Sequence, residues 1–484
     1  MVRPGIACSE PRGASEPHAP RRRRARLAVA VLGSAPGCGA GVSQAQKAKN
    51  MRRNIVHIGA SELTYEIRGI AEMAHEIERL TGKPIRWENI GDPVQKGERV
   101  PVWVKEIVAR AAHEDMSYAY CPTRGLAQTR EFLAARCNAR GGVQIAADDV
   151  LFFNGLGDAV NKVYNLLRRE ARVIGPSPSY PTHSSAEAAH AGSSPITYRL
   201  LPEKGWMPDL DELRNKVKYN DSIAGLMIIN PDNPTGAVFP RDVVTEMVEI
   251  AREYRLFIVA DEIYTNMVYN GADYAPLSDL VGDVPAISLK GISKEIPWPG
   301  SRCGWMEVYN QEHQPMFRRY VRSILDAKML EVCSTTLPQL VIPEIFGDAR
   351  YVPWQKERNQ RFAQRAKRAT EIMSECPGVT VNKPAGAFYF SVVFSDDVTP
   401  HMYLKVGDSR VEGYIRHICQ PGIQPDRKFC YELLGAYGIC TVPLTSFMCQ
   451  LRGFRSTLLE NDEAEFEAVY RTLADAVREF FESA

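Results

Sequence analysis

A chain of 484 residues with 45% hydrophobic and 24% charged side chains is longer than one average domain and has the makeup of a globular protein with a large core. Its 59 basic residues balance 58 acidic ones to a net charge of +1, which gives no sign of a basic nucleic-acid surface or an acidic tail. No run of about 18 apolar residues offers a membrane span, so neither nucleic acid nor a membrane is an expected partner.

The first fifty residues differ in kind from the rest. Residues 21–24 are all arginine, 27–32 form a short apolar patch, and small residues lead on to Cys38. Three readings stay open: a secretion signal, an Arg-rich transit peptide (against which Glu10 and Glu16 count), and an over-long start ahead of Met51. The composition predicts a disordered extension over 1–50. Eleven cysteines are scattered along the chain without a CxxC pair, which lacks the close spacing of a zinc site and points to free thiols in a reducing, cytoplasmic compartment.

Helical periodicity starts at Tyr65, with Ile67, Ile70, Met73, Ala74 and Ile77 on one face. A turn at Gly91-Asp92-Pro93 precedes a second amphipathic helix over 102–112. A third follows Gly125 and ends near Gly141-Gly142. Seven short apolar runs then alternate with helical stretches such as 242–254: they lie at 150–153, 173–175, 196–200, 226–229, 257–260, 287–289 and 305–308. That alternation predicts an α/β domain over 100–341, built on a mostly parallel, seven-stranded sheet covered on both faces. A long helix at 354–373, strands near 388–393 and 438–442, and a terminal helix from Asp462 predict a smaller α+β domain over 342–484. Residues 51–99, from the other chain end, complete it. The stretch 395–426 has little periodicity and reads as a loop-rich insertion.

Open α/β sheets bind ligands beyond the carboxyl ends of their strands. Residues directly after the apolar runs are therefore the candidates. Asn154-Gly155-Leu156-Gly157 follows the first run, where glycines let backbone N–H groups and a helix N-terminus approach a phosphate; a plain tight turn is the bland alternative. Asn230-Pro-Asp-Asn-Pro-Thr-Gly236 follows the fourth run and by itself is turn punctuation. Asp261 follows the fifth, with Tyr264 three residues on; an acid there also serves as a helix cap. Lys294 follows the sixth. Taken singly, it and Arg455 are ordinary surface charges.

Jointly, the order and spacing of these pieces resemble the class I/II (fold type I) pyridoxal-phosphate-dependent aminotransferases over residues 65–482. The resemblance is carried by the Asn-Pro-x-Asn-Pro-Thr-Gly turn, the Asp-x-x-Tyr pair, and the Ser-Lys-x7-Arg-x-Gly-Trp segment from Ser293 to Trp305. Gly91-Asp-Pro93, Tyr120-Cys-Pro-Thr-Arg-Gly125, Pro176-Ser-Pro-Ser-Tyr-Pro181 and Pro384-Ala-Gly-Ala-Phe-Tyr389 support it.

The resemblance implies a cofactor, pyridoxal 5'-phosphate, carried as a Schiff base on Lys294, whose amine also moves a proton at the substrate Cα. Asp261 would keep the cofactor's ring nitrogen protonated, with His183 standing where some relatives support that acid. Asn233 and Tyr264 would bond its phenolic oxygen, and Tyr180 would stack on the ring. Backbone N–H groups of Gly155 and Leu156, Arg302, and Tyr120 reaching from a second subunit would hold the phosphate. Arg455 would grip the substrate α-carboxylate, with Gly91 and Asn233 beside it; Arg452 is its rival in sequence, and Lys290 reads as structural. One departure stands out: many relatives carry a phosphate-binding hydroxyl where this chain has Gly291.

The implied protein is a homodimer with its sites at the subunit interface, exchanging an amino group between an amino acid and a 2-oxo acid by ping-pong transamination. A β-lyase, decarboxylase or racemase on the same scaffold is the rival reading, and a non-catalytic cofactor-binding regulator a second. Relatives specific for dicarboxylates present an arginine from the neighbouring subunit just before the serine matching Ser334. Here that stretch reads Lys328-Met-Leu-Glu-Val-Cys-Ser334, so neutral or hydrophobic amino acids are the expected substrates unless Lys328 or a residue of 395–426 supplies the charge.

Overall fold

Eight strands make the central sheet of this computed structural model, which describes residues 54–63 and 66–483. In spatial order they are Val150–Phe153, Gly304–Tyr309, Ala286–Gly291, Phe257–Asp261, Ile223–Ile229, Arg172–Ser177, Thr197–Leu201 and Met207–Pro208. The five from Ala286–Gly291 to Thr197–Leu201 run parallel. Gly304–Tyr309 lies antiparallel between Val150–Phe153 and Ala286–Gly291. Seven of the strands are the expected apolar runs. The eighth, Met207–Pro208, is an antiparallel edge of two residues, too short to leave a pattern in sequence.

Both faces of the sheet are covered, so its central strands are buried end to end and read as apolar runs without alternation. Successive residues nevertheless serve opposite cores, as the period of two requires. Phe152, Leu226, Ile228 and Ile258 pack beneath helices that include Ala127–Asn138, Arg241–Glu253 and Thr336–Gly347. Phe153, Met227, Ile229 and Val259 pack beneath Leu156–Asn165 and Pro315–Met329.

A third core joins the two ends of the chain. Ile70, Met73, Ala74 and Ile77 of helix Glu66–Thr81 are buried there, the expected face; Tyr65 and the side chain of Ile67 lie outside the described residues, as does the extension 1–50. They meet Phe362, Ala366 and Ala369 of helix Tyr351–Ser374, strands Tyr389–Phe394 and Gly453–Thr457 of a four-stranded sheet, and helix Glu463–Glu482. The parallel pair Arg86–Trp87 and Ile439–Cys440 ties the chain ends together.

Two expectations need correction. The boundary placed between 341 and 342 falls inside helix Thr336–Gly347, which packs on the first core through Val341, Ile342 and Ile345. The passage between cores comes later, within helix Tyr351–Ser374: Tyr351 belongs to the first core and Phe362 to the third. Nor is 395–426 all loop, since Ser409–Ile418 is a helix capped by the Asp408 carboxylate. Val411 and Ile415 are buried on it and Tyr414 and Ile418 pack beside them, an i, i+3, i+4, i+7 face short enough to be passed over between two loops.

The nine cysteines among the described residues are free thiols. No helix among those residues is long and apolar enough to cross a membrane.

Candidate active site

At the carboxyl ends of the parallel strands lies a cavity of about 170 Å³. Leu156, Tyr180, Asn233, Asp261, Tyr264, Lys294 and Arg302 line it, together with Gly157, Thr182, Ser293 and Tyr389. A larger groove of about 970 Å³ opens near the other ends of the strands, around Arg252, Phe257 and Phe317, but it holds no buried acid and no lysine. The chemistry gathers in the smaller one.

Asp261 ends strand Phe257–Asp261 and is buried. One carboxylate oxygen accepts the Ile263 N–H at 3.1 Å, and the other lies 2.9 Å from His183 Nε2. Asn233 follows Ile223–Ile229 in a turn locked from several sides. Asn230 bonds both backbone groups of Phe239 at 2.9 and 3.1 Å, Asp232 accepts the Thr235 N–H at 3.1 Å, and Ser391 donates to the Pro234 carbonyl at 2.8 Å. Gly236 takes a left-handed φ of +72°, and a Cβ there would sit 2.7 Å from Pro384. That close approach is why the 230–236 and 384–389 motifs meet. The Asn233 Oδ1 is buried in this rigid turn without a protein partner. Neighbouring Asp232 is fully buried, and burial pushes its carboxyl up to about 7.

Lys294 sits in the single helical turn Ile292–Glu295 after strand Ala286–Gly291. Its ammonium donates to the Gly91 carbonyl and faces the Phe388 ring at 5.6 Å. Burial brings its pKa down from the ordinary lysine range to about 8; Arg455, Arg302 and Arg358 push the same way, and Asp92 opposes them. Lys290 is spoken for elsewhere: its ammonium lies 2.6 Å from Glu307 and 3.6 Å from Glu262. Tyr264 donates to the Tyr389 hydroxyl at 3.2 Å, and burial raises its phenol well above the usual value.

Helix Leu156–Asn165 opens toward Arg302. Gly155, its N-cap, has φ +82°, a backbone conformation that favours glycine, and a Cβ there would stand 2.8 Å from the Arg302 guanidinium carbon. The Gly155 N–H donates to the Phe153 carbonyl at 2.8 Å. The first-turn amides of Leu156 and Gly157 are the donors that helix geometry leaves for a ligand. At Gly291, a Cβ would lie 3.0 Å from the Cys303 carbonyl and 3.1 Å from Ile263: the missing hydroxyl is matched by missing space.

The two rival arginines separate cleanly. Arg455, buried on strand Gly453–Thr457, stands 4.5 Å from the Tyr389 ring centroid and donates to the Asn89 carbonyl. Arg452 donates to the Val398 carbonyl at 3.3 Å. Gly91 closes this side; a Cβ there would reach 3.3 Å from the Tyr389 Cζ and strike its hydroxyl. Tyr120, by contrast, lies on the surface at 83% exposure, among exposed Met116, Tyr118, Leu330 and Val332. Lys328 is fully buried, paired with Glu331 at 2.8 Å and Ser334 at 3.1 Å, and Lys162 joins the same cluster through Asp158 and Glu331. Sequence reasoning gave no role to Gly157, Ser293 or Tyr389, although each opens or ends a motif that it quoted.

The cavity fits a phosphorylated aldehyde cofactor in its donor set: an amine near neutrality, a buried acid, an unpartnered buried amide and an amide-and-guanidinium cradle. Comparison with known proteins points the same way. The model for the family described as aminotransferase class I and II matches residues 89–470. An uncharacterized aminotransferase of Methanocaldococcus jannaschii is 53% identical over 434 residues, covering 90% of this chain and 100% of that one. The glutamate-pyruvate aminotransferase of Escherichia coli K12 is 30% identical over 327 residues, 67% of this chain and 79% of that one. Among solved structures, an alanine aminotransferase from Pyrococcus furiosus superimposes with a TM-score of 0.75 at 27% identity, covering 87% of this chain and 99% of that one.

Proposed function

Because this chain belongs to the class I and II aminotransferases, which use pyridoxal phosphate to pass an amino group from an amino acid to a 2-oxo acid, we propose that the cavity at Lys294 is where it does so, with neutral amino acids as donors. The observation that carries the site assignment is the convergence of Lys294, Asp261 and Asn233 from three successive strand ends on one cavity. The bound cofactor supplies an electron sink. The chain's own residues do the rest. Lys294, neutral above about pH 8, would carry a proton from the substrate Cα to the carbon of the cofactor's aldehyde group. Asp261, steadied by His183, holds a negative charge against the ring nitrogen. Asn233 and Tyr264 orient the phenolic oxygen, and Tyr180 covers the ring. Leu156, Gly157 and Arg302 form the phosphate cradle, and Gly155, whose N–H is bonded to Phe153, leaves room for the Arg302 guanidinium. Arg455 reads the substrate carboxylate, with Gly91 and Asn233 alongside.

The substrate reading rests on the 328–334 segment. Its one cation, Lys328, is committed to Glu331 and Ser334 in the interior, which leaves no charge there for a side-chain carboxylate. The alanine aminotransferase among the solved structures favours a neutral donor, whereas the glutamate-pyruvate aminotransferase also takes an acidic one. Steady-state kinetics with alanine, methionine, phenylalanine and aspartate as donors should rank aspartate last by kcat/KM. A clear preference for aspartate would overturn this reading of the pocket.

Assembly as a homodimer is part of the proposal. The exposed side chains of Tyr120 and Val332, on segments joined by the Thr123 bond to the Val332 carbonyl, support it, with Tyr120 of the partner subunit completing the phosphate cradle. Mixed dimers of Tyr120→Phe and Lys294→Ala chains should keep one intact site of two and about half the activity per dimer; mixed dimers no more active than Tyr120→Phe alone would place Tyr120 in its own subunit's site. We draw the division into domains within helix Tyr351–Ser374, with helix Glu66–Thr81 and strand Arg86–Trp87 joining the C-terminal part while Gly59 lies against Ala189 of the larger one, and the free thiols suit a cytoplasmic setting.

A further inference from the structure

Arg358 comes from the middle of helix Tyr351–Ser374, between Tyr351 of the first core and Phe362 of the third, and its side chain is fully buried. Trp354 and Phe362, one turn to either side, flank the guanidinium at 5.6 and 5.3 Å. Four hydrogen bonds leave it in two directions. Nε and Nη2 donate to the two carboxylate oxygens of Glu98 at 2.5 and 2.8 Å. Nη1 donates to the main-chain carbonyls of Lys294 at 2.8 Å and Glu295 at 3.2 Å. The same helix reaches this turn a second time, because Tyr351 donates to the Glu295 carboxylate.

Glu98 ends a turn that begins at Gly91. The Lys96 N–H bonds the Asp92 carbonyl at 3.2 Å, Gly97 that of Val94 at 3.0 Å, and Glu98 that of Pro93 at 2.8 Å. Gly91 in turn accepts the Lys294 ammonium. The contacts close a ring. Lys294 is held by its amine at the start of the turn and, through Arg358, by its backbone at the turn's end.

We propose that Arg358 is a positioning residue that bridges the Glu98 carboxylate to the main chain of Lys294 and so holds the lysine and the Gly91–Glu98 turn as one unit; this rests on the assignment of Lys294 above. A lysine that moves a proton must meet the substrate Cα at a fixed distance, and displacement by an ångström is enough to slow such a step severely. The substrate carboxylate is read beside Gly91. Tying lysine and turn to one guanidinium keeps the proton's acceptor in register with the carbon that loses it. No surface role explains a bidentate, fully buried arginine whose remaining donors go to the backbone of the lysine itself.

The test uses the holoenzyme and two readouts: the pH titration of the bound cofactor's absorbance, and kcat against KM for the amino donor. The charges facing Lys294 are Asp92, Arg455, Arg302 and Arg358, the last offset by Glu98. Glu98→Gln leaves the Arg358 cation uncompensated and should lower the titration midpoint by roughly one pH unit, whereas Arg358→Met leaves the Glu98 carboxylate and should raise it. General loosening of the fold would move both the same way. The double variant buries no charge; its midpoint should return near the wild-type value while kcat falls at least about 10-fold and KM stays within about twofold. Arg358→Met leaves the buried Glu98 acid with only Arg361, 3.9 Å away, and can fail to fold, in which case Glu98→Gln and the double variant decide the matter. Midpoint shifts of one sign, an unmoved Glu98→Gln midpoint, or an unchanged kcat in the double variant would overturn the proposal. Borohydride reduction and peptide mapping of the wild type is run alongside: cofactor away from Lys294 defeats the site assignment, and cofactor on Lys294 with unmoved variants defeats only the clamp.

Discussion

Lys294→Ala should leave a folded protein that binds pyridoxal phosphate without a covalent bond and transaminates about 10³-fold more slowly or worse. The change removes both the amine that attaches the cofactor and the group that moves the proton. No neighbour is placed to replace it: Lys290 points its ammonium at Glu307, 2.6 Å away, in a separate buried pair. Absorbance spectra and single-turnover rates of the variant, together with borohydride reduction and peptide mass mapping of the wild type, check the assignment. Cofactor found on Lys290 would end it. The pH behaviour has a definite sign. Burial favours the neutral amine, so in cofactor-free protein the labelling rate of Lys294 by a small amine reagent should rise through about pH 8, well before ordinary lysines respond.

Arg455→Lys should cost about 2–5 kcal/mol in kcat/KM, about 30-fold to several thousand-fold, and should do so for every amino acid donor alike. The uniformity follows from what the residue reads, since all donors share the α-carboxylate. A planar fork gives that group two parallel hydrogen bonds, and its face lies 4.5 Å from the Tyr389 ring centroid; an ammonium reproduces neither. Arg452→Lys is the control. Its partner is the Val398 carbonyl at 3.3 Å, so kcat/KM should hold within about twofold, inside the range of ordinary surface substitutions. A loss confined to some donors, or an equal loss in the control, would mean that the carboxylate is read elsewhere.

The site was legible in sequence where chemistry coincides with strand ends. Asp261, Asn233 and Lys294 each follow an apolar run, and their flanking motifs fix which aspartate, asparagine and lysine to choose. Arg358 was not legible. It lies in a helix that also carries Arg361, Arg365 and Arg368, and no local pattern marks which of them turns inward. Only the fold brings Glu98, 260 residues away, to meet it. The same holds at smaller scale for Gly155, whose role as a backbone donor follows from its motif but whose N–H is taken by Phe153. Helix Ser409–Ile418 escaped notice because its apolar face, Val411, Tyr414, Ile415 and Ile418, spans only two turns between loops.

The reversed strand Gly304–Tyr309 has a consequence for how this chain tolerates change in length. Because it runs against Ala286–Gly291, the residues before it and those after its neighbour emerge at the same edge of the sheet. Lys294 and Arg302 therefore belong to one excursion of the chain, pinched at its base by the facing pair Gly291 and Gly304. A Cβ on Gly304 would stand 2.8 Å from Leu156, so the neck of this excursion is filled by the helix that opens the phosphate cradle. An insertion among the parallel strands' connections has helices and loops to absorb it. One between residues 294 and 302 has only the short turn Pro299–Ser301 and the loop before it, which themselves place the site, and it would carry the amine and the guanidinium apart while leaving the sheet intact. Libraries of single-residue insertions should therefore yield folded but inactive proteins from this excursion, with active ones recovered from surface loops elsewhere.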